Sequence, residues 1–169
     1  MLVINTPVIQ PVDRGPVIPL ALNNTNRPID LLSHWRNTRE FRMDEHYQRD
    51  YVWGVDRKAN LIRSILMGIP IPSLILNWRD WPDDYSIAVV DGKQRISAIL
   101  NFLDGELVVP GPWFGLDGDV TFNDLPRPTR LRLGNKSIAV SEASLGSLED
   151  EERVFNLINY GGVPQGMTD

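Results

Sequence analysis

The chain contains no cysteine and only two histidines, His34 and His46. Disulfides, zinc–thiolate sites and cysteine nucleophiles are therefore excluded. A two-histidine metal site has no supporting spacing, and serine–histidine catalysis has few candidate bases. No apolar run approaches the roughly 20 residues needed to span a membrane. The opening stretch MLVINTPVIQPVDRGPVIP has neither a basic start nor an unbroken apolar segment, so it does not read as a secretory signal. A large positive charge is also missing. The net charge is −5, which is not the footprint of an extended DNA-binding surface. The absence of cysteine is compatible with a cytoplasmic protein, and a cytoplasmic setting with no membrane partner is the expectation.

What is present is an ordinary globular composition, 42% hydrophobic and 23% charged over 169 residues, enough for one domain with a real core. The charge is uneven. Residues 1–100 hold 12 Lys and Arg against 11 Asp and Glu, whereas residues 101–169 hold 5 against 11. A polyanion is expected to meet the first part of the chain, unless the acidic half is simply a solvated surface.

Prolines 7, 11, 16, 19 and 28 mark residues 1–28 as an extended or polyproline arm that packs on the domain or on a partner, such as a host protein or a second copy of the chain, or else is disordered. Residues 29–169 are expected to form the domain proper. A short helix opens in RPIDLLSHW (27–35), and TREFRM (38–43) alternates as a strand does. In VDRKANLIRSILMG (55–68), Leu61, Ile62, Ile65 and Leu66 fall at helical spacing, with Asp56 as a cap and Gly68 as the stop. Strands are expected at LILNW (74–78), YSIAVV (85–90) and SIAVSEA (137–143). GKQRISAILNFLDG (92–105) is a helix with Ile96, Ile99, Leu100 and Leu103 on one face. Residues 106–135, rich in glycine and proline, are expected to hold a short strand, loops and a small helical turn. SLEDEERVFNLINYGG (147–162) carries strong helix signals: Ser147 as cap, Glu149 to Glu152 complementing the positive end, and Val154, Leu157 and Ile158 as the apolar stripe. The fold class is α+β, a small mixed sheet with packed helices.

Three segments carry polar groups of chemical interest. In YSIAVVDGKQR, a strand runs through Asp91 and Gly92 straight into a helix. Lys93 and Arg95 then stand at the helix end whose dipole repels cations. The junction fits either of two local roles. It is an anion site, in which free backbone N–H groups and the two cations hold a phosphate. Alternatively, Asp91 is an ordinary N-cap offsetting Lys93 while Arg95 reaches out to water. In YQRDYVW, Arg49 offers a second anion contact, Gln48 an amide, and Tyr47 and Trp53 flat faces for stacking; the aromatics serve equally well as core residues. In NLINYGG, Asn159, Gly161 and Gly162 form either a tight functional turn or a plain helix C-cap.

These segments, in this order, together with LIRSILMGIPIPSLIL, resemble the domain of unknown function 262. This is the ParB-like N-terminal domain of GmrSD-type modification-dependent restriction systems, and the resemblance runs from about Ile29 to Pro164. It implies a ParB- and sulfiredoxin-like fold and an activity of nucleoside triphosphate binding and hydrolysis. By motif, Asp91, Gly92, Lys93, Gln94 and Arg95 would form the phosphate loop, with Asp91 and Arg95 catalytic and Asp91 a ligand for Mg²⁺. Tyr47, Gln48 and Arg49 would line the same pocket, supported by Trp53, Asn159, Gly161 and Gly162. Many members read Asp-Gly-Gln-Gln-Arg where Lys93 stands here. Restriction-type members continue into further helices and a histidine-rich HNH nuclease domain, whereas this sequence stops at Asp169. That suggests a short free-standing version, as in a phage or mobile-element protein, or a truncated piece of a longer chain, so DNA cleavage is not carried over. The alternatives to an NTP-binding enzyme are a DNA-binding protein or nuclease using the same pocket, and a non-enzymatic interaction or inhibitor protein.

Overall fold

The computed structural model describes residues 17, 19–48, 50, 52–81 and 84–160. A five-stranded mixed sheet organises them, in the order β1-β7-β3-β4-β2. The strands are β1 (Asn23–Pro28), β2 (Phe41–Arg42), β3 (Leu74–Trp78), β4 (Ile87–Asp91) and β7 (Ser137–Ala143). Pairing alternates across the sheet: β1 with β7 and β3 with β4 are antiparallel, while β3 with β7 and β2 with β4 are parallel. A separate two-stranded ribbon joins β5 (Val109–Pro110) to β6 (Asp119–Val120). The expected α+β class with a small mixed sheet is the observed one.

The helices are α1 (Asp30–Asn37), α2 (Val55–Met67), α3 (Lys93–Leu103), α4 (Arg127–Gly134) and α5 (Leu148–Tyr160). Most fall where periodicity puts them. α2 closes on Gly68, whose φ of 73° is the left-handed conformation that glycine adopts without a steric penalty. Its start differs from expectation. Gly54 is the N-cap and Asp56 makes no capping bond, because the helix begins at Val55 and places Asp56 inside the first turn, where it still favours the dipole. Residues 106–135 are more ordered than their composition indicates, holding the β5–β6 ribbon, two 3-10 turns and α4. Much of the 1–28 arm lies outside the described residues, and its last part, Asn23–Pro28, is the edge strand β1.

Strand alternation divides the interior in two. On one face Leu74, Leu76, Ile87 and Val89 pack with Leu32 and Trp35 of α1, Ile62 of α2 and Ile96 and Ile99 of α3. On the other, Val90 meets Ala143, Leu145 and the α5 residues Val154 and Phe155. The α5 stripe differs from the expected one. Leu157 and Ile158 are exposed, while Glu151 and Phe155 face inward beside Val154.

Candidate functional site

The segment Asp91–Arg95 is the junction from β4, a central strand, to α3. Gly92 is buried and is the N-cap residue, with φ at 109°. A Cβ there would lie 2.5 Å from Leu74 Cδ2, so both backbone conformation and space require glycine. No side chain caps α3. Its first-turn N–H groups therefore have no intrahelical acceptor and point out beside the strand end.

Asp91 is not the cap. Its carboxylate accepts a hydrogen bond from Arg95 Nη2 at 2.5 Å, while Arg95 Nη1 donates to the Pro72 carbonyl at 2.9 Å. Arg95 thus folds back over the turn and ties it to the residues before β3, unlike the local alternative in which Asp91 is the N-cap and Arg95 reaches out to water. Lys93 Nζ lies 2.8 Å from Asp44 Oδ1, a carboxylate whose side chain is 86% exposed. Both cations at the wrong end of the helix have a carboxylate neighbour, but only one of those carboxylates is held in place.

Gln94 spends its amide on the neighbouring loop. Its Oε1 accepts the backbone N–H groups of Val52 (3.1 Å) and Trp53 (3.3 Å), and its Nε2 donates to the Asp50 carbonyl at 3.0 Å. Trp53 is half-buried, with the Arg57 guanidinium 4.6 Å from its ring centre. Gln48 donates from Nε2 to the Val89 carbonyl, with Val90 O at 3.4 Å, and so docks on β4 just before Asp91. The structure therefore gathers Gln48, residues 50, 52 and 53 and the Asp91–Arg95 turn around one strand end. Arg49, Gly161 and Gly162 lie outside the described residues. Asn159 donates to Phe155 O at 2.8 Å within α5, and Phe155 packs against Tyr47 with ring centres 5.3 Å apart.

Tyr47 turns toward the α5 face instead. Its hydroxyl donates to Glu151 Oε2 at 3.2 Å, and burial, reinforced by the negative charges of Glu151 and Glu45, pushes the phenol pKa well above its ordinary value. Glu151 is fully buried and accepts from Arg79 Nε (2.9 Å), Arg79 Nη2 (2.6 Å) and Asn77 Nδ2 (2.7 Å). Arg79 Nη2 also donates to Glu45 Oε1 at 2.8 Å. Asn77 Oδ1 accepts the Leu145 N–H at 2.6 Å. Glu151, expected merely to complement the helix dipole, is the hub of an ion network. A sequence signal was available. Ile75, Asn77 and Arg79 alternate onto one face of β3 and its extension, and Glu151 lies three and four residues before the buried Val154 and Phe155.

Two surface clefts lie elsewhere, one of about 450 Å³ lined by Val55, Asp56, Trp113 and Asp119 among others, and one of about 200 Å³ between Ile65, Ile69 and Lys136. Neither includes a residue expected at the site. No group of three or more acidic or histidine side chains suited to hold a metal ion occurs among the described residues. None of the helices described is long and apolar enough to cross a membrane.

A model of the N-terminal domain of the GmrSD restriction endonuclease matches residues 30–139, well over half of the chain. The chain belongs to this family. The GmrSD-type match takes in Tyr47–Trp53 and Asp91–Arg95 but ends before Glu151 and Asn159, so it stops short of the Pro164 boundary expected for the resemblance. Comparison with curated proteins finds no relative. Among solved structures, the chain is similar to a C-terminally truncated chromosome-partitioning protein ParB from Caulobacter crescentus complexed with CTP-γ-S. That likeness has 11% identity and a TM-score of 0.45, and covers 84% of this chain and 55% of that one. It is also similar to a Pnob8-like ParB-N domain, at 11% identity and a TM-score of 0.42, over 85% of this chain and 39% of that one. The chain thus spans about half or less of the length of these ParB neighbours.

Proposed function

We propose that the chain binds a nucleoside triphosphate at the Asp91–Arg95 turn, as the nucleotide-handling part of a restriction-type or other DNA-related system. The observation that carries this is the uncapped start of α3 behind a left-handed glycine, with Lys93 and Arg95 beside it. Free N–H groups, close backbone approach and two cations are the donor set of a phosphate site. The two cations have different parts. The Asp44 side chain is 86% exposed and that of Lys93 15%, so Asp44 is free to return to water and Lys93 exchanges it for a phosphate oxygen. Arg95 braces the turn through Asp91 and the Pro72 carbonyl and turns a guanidinium N–H to the ligand only with local adjustment.

The residues fit triphosphate oxygens better than a protein-held divalent ion. Asp91 is the only carboxylate of the turn and is already engaged by Arg95, so Mg²⁺ belongs to this reading as an ion carried in on the phosphates. Hydrolysis requires an in-line water and charge neutralisation, since phosphoryl transfer is mostly positioning. Asp91 is the candidate to orient that water, and Gln48 and Trp53 would border the nucleoside. Isothermal titration with each of the four NTPs in the presence of Mg²⁺ tests binding, and phosphate release tests turnover. Binding of at least one NTP, weakened by Lys93→Ala, is expected. No heat with any NTP overturns the proposal.

A second role, contact with nucleic acid, is favoured by a separate observation. Four of the five cations in the acidic half, Arg127, Arg130, Arg132 and Lys136, fall within ten residues in and just after α4, with no acid between Asp124 and Glu142. The ion pairs found among the described residues take up Arg27, Arg36, Arg42, Arg79, Lys93 and Arg95, and none of these four. Retention of duplex or single-stranded DNA that falls with salt, and falls less steeply when Arg127 and Arg132 are both changed to Gln, is the expected result. Retention indifferent to that change rules α4 out.

A further inference from the structure

The segment from Glu45 to Trp53 is held at both ends by side chains that the proposed nucleotide reading leaves without a role. At its start, Glu45 accepts from Arg79 and Tyr47 donates to Glu151. Arg79 and Glu151 are themselves locked together by two hydrogen bonds and are almost fully buried, their side chains 1% and 0% exposed. Between these anchors and the far end, Gln48 docks on the β4 carbonyls of Val89 and Val90, two residues and one residue before Asp91. At its end, Gln94 accepts the Val52 and Trp53 N–H groups and donates to Asp50.

Burying two carboxylates and a guanidinium carries a large desolvation cost, and well-packed apolar residues serve stability as well or better. Such a network is therefore a poor device for stability alone, but it fixes geometry. Arg79 presents a planar fork of donors, Glu151 accepts from three residues on two elements, and each bond requires one placement of its partner. The residues placed are those of the 45–48 segment, which enters the strand end where α3 starts. Gln94 does the same from the other side. Its carboxamide is already engaged with three backbone groups, which makes it a loop clamp more than a phosphate ligand.

We infer that Arg79, Glu151 and Gln94 are positioning residues that bracket residues 45–48, 50, 52 and 53 beside the Gly92 turn, so that α5 is part of the nucleotide-binding unit although the family match ends at residue 139. This rests on the nucleotide reading of the turn. Without the bracket, the segment must be ordered when the ligand arrives, and affinity falls by the cost of that ordering.

The test uses the full chain with Tyr47→Phe, Glu151→Gln and Gln94→Met. NTP titration, thermal unfolding and hydrogen exchange of the Val52 and Trp53 amides are read on each. Tyr47→Phe removes one hydrogen bond and keeps the ring on Phe155, so it guards against the case in which Glu151→Gln fails to fold. Expected for Tyr47→Phe is an NTP affinity lowered by about 3- to 10-fold, the factor of a single hydrogen bond, with melting close to wild type. Gln94→Met is expected to speed exchange at Val52 and Trp53 while core amides in β4 and α3 keep their protection. A network that serves stability alone gives the opposite pattern: lower melting temperatures with unchanged affinity in the folded protein, which overturns the inference. Failure of the wild-type chain to bind any NTP overturns the reading of the turn. Unchanged exchange at Val52 and Trp53 in Gln94→Met overturns the bracket itself.

Discussion

The two faces of the sheet solve the same packing problem with different chemistry. The face under α1, α2 and α3 is filled with hydrocarbon: Leu32, Ile62, Leu74, Leu76, Ile87, Val89, Ile96 and Ile99 are all buried there. The face under α5 has a small apolar cluster around Val90, Val154 and Phe155, and beside it Asn77, Arg79, Glu45 and Glu151 are equally buried. Apolar packing is non-directional and loses stability by increments as volume is removed. A buried ion network depends on every partner, because removing one leaves the others charged and unsolvated. The candidate site lies where these two faces meet, at the end of β4, so its scaffold is soft to substitution on one side and brittle on the other.

The sharpest way to break this contrast is to remove the hub cation. Arg79→Met leaves Glu151 buried without a guanidinium and Glu45 with only the more exposed Arg42 at 3.8 Å, and is expected to cost about 3–5 kcal/mol in urea unfolding. Adding Glu45→Leu and Glu151→Met to the same chain is expected to recover a good part of that loss, since the unpaired charges go with it. A triple variant less stable than Arg79→Met would show that the two carboxylates stabilise the fold without their guanidinium, and that the buried face does not depend on every partner. On the apolar face, Leu76→Ala is expected to cost about 2–4 kcal/mol through lost burial and a residual cavity. No second substitution at a neighbouring polar residue should rescue it.

At the meeting point of the faces, Gly92→Ala probes the turn directly. The left-handed φ and the approach to Leu74 Cδ2 together are expected to cost about 1–3 kcal/mol, with a fall in NTP affinity larger than that of Lys93→Ala. An alanine variant of wild-type stability and affinity would mean that the turn relaxes without consequence, and that its glycine has no bearing on the ligand.

The contrast between the faces also explains what was legible in the sequence. Runs such as LILNW and SIAVSEA were placed as strands over the observed residues, because β-branched and aliphatic side chains in a short window carry their own signal. The DGKQR turn was legible too, since a glycine between a strand and a helix that starts with two cations contradicts local preference and asks for a cause. The partners of that turn were not. That Lys93 meets Asp44, 49 positions away in the chain, and that Arg95 donates to the Pro72 carbonyl depend on tertiary placement of the loops after β2 and before β3. Glu151 was misjudged for a related reason. Four consecutive acids at a helix start satisfy the dipole rule so fully that one of them facing inward leaves no trace, unless the polar Asn77 and Arg79 on the opposing strand are read with it.

The smallest expected effect belongs to the rim of the apolar face. Arg36 of α1 donates to Asp104, just after α3, at 2.5 and 2.8 Å. The hydrogen bond from Arg36 holds the Asp104 carboxyl below its ordinary range, and the guanidinium is correspondingly harder to deprotonate. A carboxylate whose folded pKa is depressed contributes stability above its unfolded pKa, about 3.9, and that contribution is lost as pH falls through the lower folded value. Both side chains are about one-third exposed, so solvent screening limits the pair to about 0.2–1 kcal/mol. Asp104→Asn is therefore expected to lower stability slightly at pH 7, by a difference that shrinks as the pH falls through the depressed folded pKa of Asp104. The hub lacks such screening, because Glu151 is fully buried against Arg79, Asn77 and Tyr47. If Asp104→Asn costs as much at pH 7 as Arg79→Met does, then exposed and buried pairs are equivalent in this fold, and the distinction between its two faces does not hold.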